Sequence, residues 1–314
     1  MAATYPGGAK SFTTKTNGQT IDPAHVNDLQ DEVTAVEQDL IAGLPVARGG
    51  TGNTSAGTSG QALVSDGTKF TPTTVALGTP TEQTTTATGT QNNFNLSARY
   101  TYLRCTGAAP RFTGFTVAGS APQAGDTVVL AFLGTTGRVD HESGASTVAN
   151  RVITPSTQGQ ICGANGMITL VYDTTTDRWR MRDVEPGKPI AVEFSAGNFT
   201  GNGSMTWTVE SADQETFTYQ QRGKTVKIWL SVNTTTIGGT PSTTLMVALP
   251  NSFVSSVLTY MPVSVVVDAG TAALGVAVTG AGGTLLAFNR ADGGSFSAAT
   301  NTTVIRAVVE LEVN

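Results

Sequence analysis

Between Ile21 and Leu44 the apolar residues fall at Val26, Leu29, Val33, Val36 and Leu40, separated by 3, 4, 3 and 4 positions. That is the a/d seam of a heptad repeat, narrower than the stripe a helix turns toward its own core. Asp22 stands at an N-cap position, Pro23 suits the first helical turn, and Gly43 lies near the end. A helix is therefore predicted over 21–44. A seam of about two and a half heptads is too short to persist alone in water. It must zip against copies of itself or pack on a neighbouring part of the chain. Valine at both kinds of seam position favours three or more strands over two. A short trimeric coiled coil follows, with Val26, Leu29, Val33, Val36 and Leu40 as its oligomerisation residues.

Beyond residue 80 the period drops to two. Ile168, Leu170 and Tyr172 share one face of MITLVYD, and Trp179 and Met181 share one face of RWRMRD across a TTTD turn. Met205, Trp207 and Val209 alternate with polar neighbours. So do Val226, Ile228, Leu230 and Val232, and again Ile305, Ala307, Val309, Leu311 and Val313. Alternation at this spacing, with turns at Pro250-Asn251, Asp268-Ala269-Gly270 and Asp292-Gly293-Gly294, predicts half-buried strands. VEPGKP (Val184–Pro189) reads as a linker. The chain is thus mainly all-β, with β-sandwich or jelly-roll-like domains expected over 81–185 and 186–314.

Composition narrows the rest. Charged residues make up only 13% of the chain and glycine occurs 36 times, which suits short strands joined by tight turns. The net charge is −5 and no basic block occurs, so a nucleic-acid partner is not expected. Residues 1–20 are polar, with Gly7–Gly8 and an Asn17–Gly18 turn signal, and read as an arm held by a partner. Their start, MAATYPGGAK, lacks a signal-peptide core, so secretion by that route is not expected. Residues 45–80 are rich in Gly, Ser and Thr, the composition of a stalk or linker. The most apolar region, Val254–Phe288, is broken by Asp268 and several Gly and Thr, so membrane insertion is not expected. Cys105 and Cys162 lack metal-ligand spacing and read as free buried thiols, compatible with assembly in a reducing cytoplasm.

One stretch carries a resemblance. ARGGTGNTSAGTSGQALVSDGTKF is similar to the short repeat of bacteriophage tail-fibre proteins, through Gly49, Gly50, Thr51, Gly52, Ala62, Leu63, Ser65, Asp66, Gly67 and Thr68. The preceding HVNDLQDEVTAVEQDL resembles the short helix near the N-terminus of many such fibres. The resemblance covers about 50 residues and implies a homotrimeric virion fibre. Such a fibre is anchored to a phage tail or capsid protein through residues 1–20 and ends in a receptor-binding tip. A host surface glycan or protein is then the distal partner. A single GGTG copy implies a short fibre.

Few residues point to chemistry. His25 lies in the first helical turn and reads as solvated. Asp140-His141-Glu142-Ser143 are adjacent on one loop and cannot form a triad, whose base must bridge nucleophile and acid. His141 is left as a polar loop residue, with a metal or a trimer interface as alternatives. Asp173 with Asp177 bracket a hairpin turn, and Glu310 with Glu312 line a strand's polar face, which are simpler readings than a glycosidase pair. GGTG lacks the lysine and the strand–helix setting of a phosphate loop. No catalytic residue, cofactor or metal is expected. Arg178, Arg180 and Arg182 fall on one strand face, either solvated, satisfied by carboxylates, or binding an anionic glycan. Trp229 lies on the polar face of TVKIWLSV with Lys227 and Ser231, where it either buries against another subunit or stacks on a sugar.

The expectation is therefore a structural fibre that adheres to a host surface. A capsid-anchored head fibre or decoration protein without receptor duty is the first alternative, and a tail-spike enzyme degrading host polysaccharide is the second.

Overall fold

The computed structural model describes residues 16–41, 61–65, 70–74 and 79–314. Residues 1–15 of the arm, most of 45–80, and the quoted repeat residues Gly49, Gly50, Thr51, Gly52, Asp66, Gly67 and Thr68 lie outside the described residues. Contacts divide the chain into two units, Met1–Thr79 and Pro80–Asn314.

In the first unit, helix α1 spans Pro23–Ile41. Asp22 caps it as expected, its carboxylate accepting the Ala24 N–H at 2.9 Å. The seam faces solvent: Val26, Leu29, Val33 and Val36 are 48%, 52%, 48% and 36% exposed. Leu40 lies on the same helix, with its side chain outside those described. Strands β1 (Gln61–Ser65) and β2 (Phe70–Thr74) pair antiparallel, from Gln61 with Thr74 to Ser65 with Phe70. The Gly-rich stretch expected as a bare stalk therefore contains a ladder.

The second unit is mainly β, and no described helix is long and apolar enough to cross a membrane. Its first half stacks in coils. β3 (Thr81–Thr85), β4 (Thr90–Gln91) and β5 (Phe94–Leu96) make one coil. β6 (Tyr100–Cys105), β7 (Arg111–Phe112) and β8 (Phe115–Val117) lie in parallel register on it. β9 (Thr127–Phe132) and β10 (Gly137–Val139) continue the stack on β6 and β7. This parallel, solenoid-like stack differs from the expected sandwich or jelly roll. Alternation marks which side chains are inside and says nothing of strand direction. The far side closes antiparallel, where β13 (Met167–Asp173) pairs with both β9 and β14 (Arg178–Glu185). Short strands β11 (Val152–Ile153) and β12 (Gln160–Cys162) pair with β14 and β10.

The coil interior packs Leu, Val and Ile side chains around a chain of aromatic rings. Phe112 stacks on Phe115 at 5.4 Å, Phe115 meets Trp179 edge-on at 5.8 Å, and Tyr172 meets Trp179 at 5.5 Å. The Trp179 indole N–H donates to the Phe115 carbonyl at 3.1 Å, so the buried ring leaves no orphan donor.

The second half is one ten-stranded sheet curled into a half-barrel, rather than two packed sheets. Its strands are β15 (Ile190–Ala191), β16 (Phe199–Gly201), β17 (Met205–Thr208), β18 (Gln214–Arg222) and β19 (Thr225–Gly239). They are followed by β20 (Thr244–Ala248), β21 (Thr259–Asp268), β22 (Thr271–Thr279), β23 (Leu285–Arg290) and β24 (Ala299–Glu312). The curl has a local cause in β19. Its register with β24 breaks between Val232 and Ile237, and Thr234 there adopts a left-handed φ of 56°. Such a bulge bends a strand and raises its twist. One end of β19 therefore pairs with β18 and the other with β17.

The two halves share one unit, and VEPGKP does not separate their contacts. Gln160 and Gln221, both buried, clasp across the joint. Gln160 Nε2 donates to the Gln221 carbonyl at 2.9 Å and Gln160 Oε1 accepts the Gly223 N–H at 2.9 Å. Gln221 Oε1 accepts the Ile161 N–H at 3.0 Å and Gln221 Nε2 donates to the Gly159 carbonyl at 2.8 Å. Ser156 also donates from its hydroxyl to the carbonyl of Asn314.

Candidate functional site

Three strands, β18, β19 and β24, set the geometry of the open sheet face. Their registers align side chains in rows: Gln220–Lys227–Glu310, then Thr218–Trp229–Val308, then Thr216–Ser231–Arg306. The middle row is an apolar stripe between two polar rows. Val308 is 47% exposed, and Lys227 places its ammonium 5.3 Å from the centre of the Trp229 ring. That is cation–π distance.

The three tryptophans differ in a telling way. Trp179 and Trp207 are buried, and each indole N–H has an acceptor: the Phe115 carbonyl and, at 2.8 Å, the Thr235 hydroxyl. Trp229 is half-buried, and its indole N–H has no acceptor among the described residues. Shallow grooves flank it. One of about 220 Å³ is lined by Thr216, Trp229, Ser231, Arg306 and Val308. The other, about 330 Å³, is lined by Gln220, Arg222, Lys227 and Glu310. An aromatic plate between polar rows can stack on a sugar ring or bury against a second protein surface. Alternation within TVKIWLSV locates Trp229 and Lys227. Arg306, Val308 and Gln220 come from other strands, and only the pairing register brings them here.

Polar anchoring is local. The Ser231 hydroxyl donates to Glu215 at 2.7 Å, and Arg306 lies 3.6 Å from the same carboxylate. The Ser231 bond, aided by Asn233 and Arg306, holds the Glu215 carboxyl below its ordinary range.

The arginine ladder lies elsewhere, on β14, and two of its members are occupied within the chain. Arg178 Nε donates to Glu142 at 2.7 Å, and Arg180 Nε to Asp173 at 2.7 Å. Arg182 has no ion-pair partner among the described residues. It falls where the β13–β14 register skips from Asp183 to Met181, so a bulge separates it from the other two. His141 Nδ1 lies within hydrogen-bond distance of both the Thr154 N–H, at 3.2 Å, and the Thr154 carbonyl, at 3.1 Å. Cys105 and Cys162 are free and buried, and burial pushes both thiols up to about 12. No group of three or more candidate metal ligands occurs among the described residues.

Compared with known proteins, the chain matches no protein-family model, and no curated protein is significantly similar to it.

Proposed function

We propose that the chain is a short, homotrimeric fibre of a bacteriophage particle, assembled in the host cytoplasm and displayed on the virion. The observation that carries this is the seam of α1: four apolar residues at a/d spacing, all exposed in the single chain. A helix of 19 residues with that face open needs a partner, and identical helices in parallel supply one. The GGTG-type stretch after it supports the same reading. Residues 1–20 would then attach to a tail or capsid protein. The β unit would face outward, offering the Trp229 face to a host surface glycan or protein. Three copies presented together raise a weak contact through effective concentration.

Native mass tests this directly. The full chain should run near three times 32.3 kDa. Changing Val26, Leu29, Val33 and Val36 to Ser should yield a monomer with unchanged β-sheet circular dichroism. A monomeric wild type overturns the trimer. A trimeric variant moves the interface into the β unit, with Trp229 the next residue to change. Antibody labelling of particles against 190–314 separates tail from capsid placement.

A polysaccharide-cleaving spike is a second reading, drawing on the parallel coils of β3–β10. Against it, the buried carboxylates Asp126, Asp140 and Asp268 are held by Arg99, by Arg111 with Arg138, and by Arg290. A carboxylate fixed in an ion pair is poorly placed to act as general acid. Clearing of a host polysaccharide layer by purified protein would reverse this preference.

A further inference from the structure

Where the coil stack meets the half-barrel, a cleft of about 240 Å³ opens between Arg111 and Arg138 on one side and Tyr219, Ile161, Ile190 and Asn251 on the other. Arg111 and Arg138 are register neighbours on the parallel strands β7 and β10. Both direct Nε to one carboxylate, Asp140, at 2.6 and 2.8 Å. Two guanidiniums against one carboxylate leave a net charge of about +1, and no other charged residue lines the cleft.

Several donors there are unused. Arg138 gives Nη2 to the Gln158 carbonyl at 2.6 Å, while its Nη1 and both terminal nitrogens of Arg111 have no acceptor among the described residues. Tyr219 is buried as a residue, but its hydroxyl is not closed off from solvent, and it has no hydrogen-bond partner among the described residues. Burial favours the neutral phenol, with nearby Arg138 opposing, so the hydroxyl is protonated and able to donate at neutral pH.

The far wall is strained. Asn251 and Ser252 are consecutive non-glycine residues with left-handed φ of 52° and 55°. Such backbone is costly and gathers at ligand clamps. It is held by Gln158, whose Nε2 donates to the Ser252 carbonyl at 3.0 Å and whose Oε1 accepts the Val254 N–H at 3.0 Å. Arg138 thus grips the same residue that fixes the loop.

We propose that this cleft binds a small carboxylated ring, the size of one acidic sugar residue. The terminal nitrogens of Arg111 suit a planar carboxylate. A net charge near +1 matches a monoanion better than a phosphate dianion. Ile161 and Ile190 give the ring an apolar wall, while the Tyr219 hydroxyl and the Asn251 amide meet its substituents. The volume falls below that of drug-sized pockets and fits a single ring. The cleft takes this ligand whether or not the chain is a virion fibre.

The test uses full-length protein with labelled isoleucine methyls, titrated with glucuronate, N-acetylneuraminate, glucose and inorganic phosphate. At least one of the two acids should shift the Ile161 and Ile190 methyls saturably, with glucose and phosphate weaker by about tenfold or more. Arg111→Gln leaves the Arg138–Asp140 pair in place and should weaken the acid by about tenfold, with the β-sheet circular dichroism unchanged. Tyr219→Phe keeps the packing, loses the hydroxyl and should weaken it by about fivefold. The proposal fails if neither acid moves those methyls, if phosphate binds as tightly, or if Arg111→Gln binds like wild type. A monomer that binds acid would remove the trimer and keep the cleft.

Discussion

The coil stack of 81–185 and the half-barrel of 190–314 use the same alternation of apolar and polar residues to reach different topologies. In the stack, β3, β6 and β9 pair in parallel, and an aromatic chain from Phe94 to Tyr172 runs through an otherwise aliphatic interior. In the half-barrel every pair is antiparallel, and the inner face of β19 and β24 is lined largely by Val, Ile, Leu and Ala. The difference lies in the connections. β18 and β19 are joined by a tight turn at Gly223, which is left-handed at a φ of 61°, so the chain must double back. Between β3 and β6 the chain passes through β4 and β5 on other faces before returning, so it arrives parallel. The halves can therefore differ in how they fail, and the Gln160–Gln221 clasp decides whether they fail together.

Trp179→Ala gives the largest expected effect. It empties the centre of the stack, removes edge contacts to Phe115 and Tyr172, and orphans the Phe115 carbonyl. A loss of about 3–5 kcal/mol is expected, read by urea unfolding. With the clasp intact, both halves should unfold in one transition. A variant that melts the stack while leaving near-native signal from the half-barrel would show the joint to be weak.

Gln221→Ala acts on the joint itself. It leaves the Ile161 N–H and the Gly159 carbonyl buried without partners, at about 1–3 kcal/mol for each unsatisfied group. The expected signature is a split of one unfolding transition into two, seen by comparing Trp fluorescence with far-ultraviolet circular dichroism. A single transition at a lower midpoint would mean that the apolar contacts of Ile161 suffice to couple the halves.

How much of this was legible follows from where each signal lies. The faces of β13, β19 and β24 are visible in the sequence because their apolar residues alternate without interruption. The helix is visible too, with Asp22 capping as its position implies. The parallel stack is not: β3 reads TEQTT, with no apolar residue to mark a core face, and the second coil is longer than the first. Thr81 pairs with Thr101, whereas Tyr100 pairs with Thr127. Uneven coils leave no repeat to detect. Trp229 is legible because it interrupts a polar face. The cleft is not, since Arg111 and Arg138 lie on strands of two and three residues and Tyr219 reads as ordinary core. VEPGKP looks like a linker by composition, yet the Gly187 carbonyl accepts a bond from Gln220, inside the joint.

The smallest effect sharpens the comparison at the edge of the stack, in the β13–β14 hairpin. Arg180 donates to Asp173, and the Thr175 N–H and Thr176 hydroxyl donate to the same carboxylate at 2.9 Å each. Led by the Arg180 bond, these hold the Asp173 carboxyl down to about 2. Because the folded value lies below the unfolded value of about 3.9, the stabilisation is complete above that unfolded value and is lost as pH falls through about 2. Both side chains are partly exposed, so the pair adds little to global stability. Its role is to fix the hairpin tip and to keep Arg180 from an outside anion. A carboxyl-carbon titration should place Asp173 near 2 in the wild type. In Arg180→Gln the midpoint should rise, stopping short of 3.9 because Thr175 and Thr176 still donate. A midpoint already near 3.9 in the wild type would mean that Arg180 is free in solution, and the ladder on β14 would then be open to an anionic glycan after all.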